Sequence, residues 1–383
     1  MTKTAEKALL PAGLQDLLPP DAAQEAAILG RLVEAFAGFG YQRVKPPLME
    51  FEDTLLSGAG RAVAGESFRL MDPVSQRMMA LRADITPQVA RIAATRLQSA
   101  PRPLRLCYGG QVLRVRGGQL RPERQFGQAG AELIGAPQEA GDAEVVVLAV
   151  SALEAVGLES LTVDLSLPTL VPAVTQALAM ESETAEALRQ ALDRKDAEAV
   201  STLSGGEDAL FDGLLQAAGP ADEALAALGA LALPEEARGE VEKASDVVAR
   251  IRQAAPAVAL TVDPVEHRGF EYHSGISFTI FARGVRGELG RGGRYLAEGF
   301  GAGRETSTGF TLYMDTVLRA LPAAEEGSRV FLPDGSDPAA GRKLRAEGWA
   351  TVAGLEPGVD PLAEARRLGC SHVLIDGQVQ EIE

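Results

Sequence analysis

An α+β fold is predicted in two parts. A core of strands and helices runs through residues 1–322, interrupted by a helical insertion at about 168–257, and a small α/β module follows at 328–383. Three observations carry this reading. Strand-like runs stand side by side with only a turn or a short loop between them. Examples are "SFRLMDPVSQRMMALRADIT", with Asp72-Pro73 as its turn signal, and "PLRLCYGGQVLRV" and "RQFGQAGAELIG", joined by "RGGQLRPE". From about Pro168 to Ala257 the composition shifts to Ala, Leu, Glu and Asp with few aromatics, as in a separate helical segment. Beyond Pro322 and the linker-like "AAEEGS", strand and helix patterns alternate to the C-terminus. At 383 residues the chain also exceeds what one compact core usually holds.

The elements follow in order. After Pro19-Pro20, Asp21 is expected to cap an amphipathic helix. Its Ile28, Leu32, Phe36 and Phe39 recur at spacings of three and four, and Gly38 and Gly40 mark its end. "YQRVKPPLMEF" reads as a strand broken by two prolines, and "PQVARIAATRL" as a helix with Pro87 in its first turn. "GDAEVVVLAVSALEAVG" is helical and "LTVDLSL" extended. After the insertion, "VALTVDP" and "SFTIFARG" resume the strand pattern, followed by the glycine cluster "GELGRGGRY" and a helix around "YMDTVLRAL". In the tail, "RVFLP", "ATVAG", "SHVLID" and "QVQEI" are strands, and "PAAGRKLRAEG" and "PLAEARRLG" are helices.

Hydrophobic residues make up 46% and charged residues 23%, the balance of a globular rather than a disordered chain. A net charge of −16 argues against a broad nucleic-acid face, although a local basic patch stays open. Cys107 and Cys370 stand far apart with no CxxC pairing, which fits a reducing compartment. No signal-peptide core and no apolar run of about 20 residues is seen, so a cytoplasmic protein is expected.

Three clusters carry chemistry. Arginines 102, 105, 114, 116, 121 and 124 face one acid, Glu123; they form either a solvated hairpin or, as a group among glycines, an anion site. In "LRADITPQ", Asp84 and Thr86 either receive an ammonium group or make an ordinary turn or helix cap. "HRGFEYHSG" holds His267 and His273, whose i, i+6 spacing matches neither a helical nor a common zinc pattern. The glycines of "GELGRGGRY" do not form a dinucleotide fingerprint; close backbone approach within a sheet accounts for them better.

In order, these segments resemble the catalytic core of class II histidyl-tRNA synthetases, over about residues 10 to 321. "RGFEYHSG" is similar to the family's RGLDYYTG, "LRADIT" to LRPEGT, and "VLRVRGGQLRPERQFGQAGAE" to the second motif and the strand after it. "GGRYLAEGFG" resembles GGRYDGL, and "GFTLYMDTVL" stands in the place of the third motif, GFAMGLERL. The resemblance implies a class II aminoacyl-tRNA synthetase-like core, an antiparallel sheet flanked by helices. It also implies a histidine pocket. Asp84 and Thr86 would hold the α-amino group, Arg114, Gln128 and Arg268 the carboxylate end, and Glu132 an imidazole nitrogen. Tyr295 would close the site, with Tyr272 beside it. A buried ion network among Arg268, Glu132 and Asp84 is the plain structural alternative.

The departures shape the functional expectation. Thr316 stands where the synthetases place an arginine for the γ-phosphate of ATP, and Arg116 where a glutamate reads adenine. His273 replaces a tyrosine, Leu296 replaces an aspartate, and the tail is shortened to about 55 residues with the acidic "LIDGQVQEIE". This pattern resembles the synthetase-like regulatory subunits of ATP phosphoribosyltransferase. It implies a subunit with no catalytic residues, no metal and no cofactor, serving the first step of histidine biosynthesis with histidine as feedback effector. The implied partners are a short-form catalytic subunit in a hetero-oligomer and a second copy in a homodimer core, with no tRNA and no membrane. An active histidyl-tRNA synthetase is the alternative.

Overall fold

The computed structural model describes residues 9–118, 121–267, 273–299, 303–324 and 327–382. The chain divides into two compact units, Met1–Pro322 and Ala323–Glu383.

In the first unit, helix α1 (Asp21–Gly38) buries Ile28, Leu32 and Phe36, the stripe expected from its periodicity. Asp21 is not the cap. It is the first helical residue, behind Pro20, and no side chain bonds the free N–H groups, though its charge still suits the positive end of the helix. Phe39 lies past the last turn and is 39% exposed, so it leaves the buried stripe. Strands β1 (Gln42–Arg43) and β2 (Met49–Phe51) are separated by Pro46 and Pro47. A short helix α2 (Glu52–Leu55) and a 3-10 segment (Gly58–Glu66) lead to the hairpin of β3 (Arg69–Met71) and β4 (Met78–Leu81). Asp72 makes the hairpin turn, accepting from the backbone of Val74 and Ser75 at 3.1 Å each. Strands β2, β4 and β3 form a three-stranded sheet in that order.

Helix α3 (Thr86–Thr95) has Pro87 in its first turn, as read. There follow β5 (Leu104–Leu113), β6 (Gln125–Ile134), α4 (Glu139–Ala155) and β7 (Leu161–Ser166). The insertion then supplies α5 (Leu170–Ala177), α6 (Ser182–Asp193), α7 (Ala197–Leu203), α8 (Asp208–Gln216), the brief β8 (Gly219–Pro220), α9 (Ala221–Ala230) and α10 (Glu235–Ala254). The chain returns through β9 (Ala259–Asp263), β10 (His273–Ala282), β11 (Gly290–Gly299), β12 (Gly303–Tyr313) and α11 (Met314–Ala320).

One nine-stranded sheet joins them in the order β1-β5-β6-β12-β11-β10-β7-β9-β8. The run from β5 to β7 is antiparallel throughout; β1 and β9 add in parallel. Strand alternation separates two cores. Cys107, Ala129, Ala131 and Leu133 point to one face, where α1, α4 and the insertion pack. Leu104, Leu106, Tyr108, Val112, Phe126, Ile134 and Tyr313 point to the other, beneath Val89 and Ala93 of α3. Helix α4 is buried over most of its surface because it lies between sheet and insertion, and its Glu144 and Asp142 are paired with Arg105 and Arg294.

The second unit is a four-stranded sheet, β14 (Ala350–Ala353), β13 (Arg329–Leu332), β15 (His372–Ile375) and β16 (Gln378–Glu381) in spatial order, with only β16 antiparallel. Val330 and Leu332 pack with Leu344 of α12 (Pro338–Ala346), while Phe331 packs with Ala365 of α13 (Pro361–Arg367). The helices therefore cover opposite faces. Both begin with an Asp-Pro pair in which Asp337 or Asp360 caps the first turn.

Candidate functional site

On the α3 face of the large sheet a cavity of about 300 Å³ opens between β6, β11, β12, α3 and the 3-10 segment. Asp84, Thr86, Arg114, Glu132 and Tyr295 line it, as the sequence leads one to expect. Arg268 and Tyr272 lie outside the described residues.

Glu132 is the deepest charge. It follows Gln128 and Gly130 on one face of β6, and its opposite number across the ladder on β12 is Gly309. A Cβ at Gly309 would overlap Glu132 Oε2, so glycine at 309 is what lets the carboxylate lie flat against the neighbouring strand. The hydroxyl of Tyr295 donates to Oε2 at 2.9 Å. Burial dominates its acidity: desolvation pushes the pKa up from 4.5 to about 8, against the opposing bonds from Tyr295 and Thr86. Near neutral pH the group is mostly a neutral acid, able both to donate and to accept.

Asp84 sits in the turn before α3. Its Oδ1 accepts from Thr86 N–H at 2.9 Å, so the helix-entry role holds, and its carboxylate also lines the cavity. Gln128 is fully buried and is not among the lining residues. Its Oε1 accepts from Ile85 N–H at 3.2 Å and its Nε2 donates to Asp84 Oδ2 at 3.0 Å. Gln128 therefore positions Asp84, which corrects the expectation that it faces the ligand's carboxylate. Thr86 continues into a hydroxyl chain, 3.2 Å to Tyr108 OH and from there 2.6 Å to Thr311 Oγ1. Full burial holds the Tyr108 pKa well above its ordinary value, so the chain keeps its protons.

At the opposite wall, Arg114 donates from Nε to Ala83 O at 3.4 Å and pairs with Glu66 at 3.2 Å. The other arginines of the cluster do not assemble into an anion site. Arg102 pairs with Glu305, Arg105 with Glu144 and Arg121 with Asp315, while Arg124 donates to backbone carbonyls and Arg116 is exposed. Carboxylates distant in sequence pair with Arg102, Arg105 and Arg121, which no local reading could reveal.

Thr316 lies in α11 at 1% exposure. Arg121 reaches it at 3.3 Å and Arg319 at 3.0 Å. Arg121 also bonds Asp315 at 2.9 Å and stacks 3.8 Å over the Tyr313 ring. The position that the synthetases give to a phosphate-binding arginine is thus filled by an internal clasp.

His273 lines the cavity and lies against β11, where a Cβ at Gly293 would come within 2.7 Å of its ring. The glycine cluster is a strand, as its close contacts require; a Cβ at Gly290 or Gly292 would strike the backbone of β12. Leu296 is 40% exposed and not among the lining residues. Sequence reasoning missed Glu66, Tyr108 and Thr311. The alternation through Gln128 and Glu132 marks the face, but only the strand register brings Tyr108 and Thr311 to it.

The histidyl-tRNA synthetase family model matches residues 13–317. The ATP phosphoribosyltransferase regulatory subunit of Rhodospirillum centenum is 58% identical over 98% of this chain and 97% of its own length. A solved ATP phosphoribosyltransferase regulatory subunit/histidyl-tRNA synthetase from Bacillus halodurans superposes with a TM-score of 0.81 at 25% identity, covering 94% of this chain and 96% of that one. A chain of the ATP phosphoribosyl transferase (HisG:HisZ) complex from Thermotoga maritima shares the fold at TM-score 0.60 and 16% identity, covering 76% of this chain and 97% of that one. The core thus has the class II aminoacyl-tRNA synthetase-like fold, and the chain belongs to the family of ATP phosphoribosyltransferase regulatory subunits.

Proposed function

We propose that this chain is a non-catalytic subunit that binds histidine and conveys its level to a short-form ATP phosphoribosyltransferase catalytic subunit in the cytoplasm. The observation that supports this reading is the pairing of the cavity lined by Asp84, Thr86, Arg114, Glu132 and Tyr295 with the clasp at Thr316. Asp84 and Thr86 suit an α-ammonium group, Arg114 suits a carboxylate, and the neutral Glu132 acid, bonded to Tyr295, suits an imidazole nitrogen. Beside them, Arg121 and Arg319 bond the position where adenylate formation would need a free arginine.

Regulation requires histidine to bind one state of the assembly more tightly than another; couplings of this kind run to about 1–3 kcal/mol. A homodimer core is part of the reading. Exposed Met71 and Met78 face each other across the β3–β4 ladder, with exposed Val74 in the turn between them, an apolar surface that a second copy would cover. No tRNA contact is assigned, in keeping with the net charge of −16.

Calorimetry with L-histidine, run beside pyrophosphate exchange with histidine and ATP, tests the reading. Histidine binding without exchange is expected. Robust exchange would return the chain to the active synthetases, and absence of histidine binding would leave the cavity without its ligand. Co-purification with a short-form catalytic subunit tests the partnership.

A further inference from the structure

Glu66 closes the 3-10 segment Gly58–Glu66 and, with Val63 of the same segment, lines the cavity. Its Oε2 stands 3.2 Å from Arg114 Nε. That N–H is directed at Ala83 O, and Glu66 Oε2 is buried without a hydrogen bond among the described residues. The contact is thus one of charge alone, between a cavity-lining guanidinium and a carboxylate whose buried oxygen lacks a donor. Such an arrangement is readily exchanged for a better-placed carboxylate. A second carboxylate arriving at Arg114 would be repelled by Glu66, and with 45% of its side chain exposed Glu66 has water to move into. Val115 N–H donates to Glu66 O at 2.8 Å, which ties the end of the segment to the chain just beyond Arg114, so a change at Glu66 is passed to its neighbours on both sides.

We infer that Glu66 stands in for the ligand's carboxylate: it holds Arg114 while the cavity is empty and is displaced when a carboxylate-bearing amino acid enters, so that residues 58–66 report occupancy. This rests on the reading of the cavity as an amino-acid site.

The test is calorimetry on the full chain, wild type and Glu66→Gln, with L-histidine and with histamine, which keeps the imidazole and ammonium but lacks the carboxylate. Glu66→Gln is expected to tighten histidine by about tenfold, within the usual range of coupling between sites, and to leave histamine unchanged or weaker. Amide exchange supplies a readout without mutation: histidine is expected to speed exchange at 58–66 and at Val115, and histamine to leave it unchanged. Equal or weaker histidine binding by the variant, or equal tightening of both ligands, overturns the stand-in role while leaving the site reading intact. So does histidine-induced protection of 58–66. Histidine binding by neither protein overturns the site reading itself. Binding by the variant alone supports the stand-in in its strongest form.

Discussion

Glu132 shows how one glycine sets the chemistry of a pocket. With Gly309 across the ladder, the carboxylate lies buried against β12, and burial lifts its pKa to about 8. In the unfolded chain it titrates near 4.5, so between these values the folded state binds more protons than the unfolded one. Its contribution to stability is complete below pH 4.5 and is lost as pH rises through 8, at a slope of at most about 1.4 kcal/mol per pH unit. Glu132→Gln removes that slope. Urea midpoints measured from pH 5 to 9 should fall less steeply with pH for the variant than for the wild type; parallel curves would show that Glu132 is not the titrating group. Of the residues around it, Asp84 and Thr86 were legible as a pair two apart: Asp84 bonds the entry of α3, as the turn reading expects, and both residues line the cavity. Gln128 could not be read correctly from sequence. Its direction depends on hydrogen bonds to Ile85 and Asp84, some 44 residues earlier, which only the sheet brings within reach.

Local signals located the elements well where chain chemistry decides alone. Asp72-Pro73 makes its turn and Pro87 opens its helix. They failed where tertiary partners decide. Asp21 lost its capping role to a shift in the helix start, and Arg102, Arg105, Arg121 and Arg114 found acids from β12, α4, α11 and the 3-10 segment. The β3–β4 hairpin carries its own consequence. Met71 is 59% and Val74 91% exposed, more apolar surface than a small hairpin leaves in water without a use. Placing charges there, as Met71→Lys with Val74→Asp, should convert a dimer to a monomer in sedimentation analysis while leaving the far-ultraviolet circular dichroism unchanged. A variant that stays dimeric would move the homodimer interface elsewhere.

At the scale of the whole molecule, every described residue lining the cavity lies before Pro322, and the tail is a separate compact unit with helices on both faces of its own sheet. A chain ending at residue 322 should bind histidine with a Kd within about twofold of the full chain's, since distant and independent regions contribute additively; a tenfold loss would tie the tail to the cavity. Among the described residues, no helix is long and apolar enough to cross a membrane. The clasp of Arg121, Asp315, Thr316 and Arg319 has a bearing on the protein's history. Substituting arginine at 316 would not by itself reopen a phosphate site. The new side chain would start from a buried position, beside two guanidinium groups that already hold Asp315 and Thr316. Several changes would have to arrive together, each unfavourable alone. An arginine at this position would therefore need the clasp around it to be rebuilt as well, so one substitution alone does not supply a free guanidinium there.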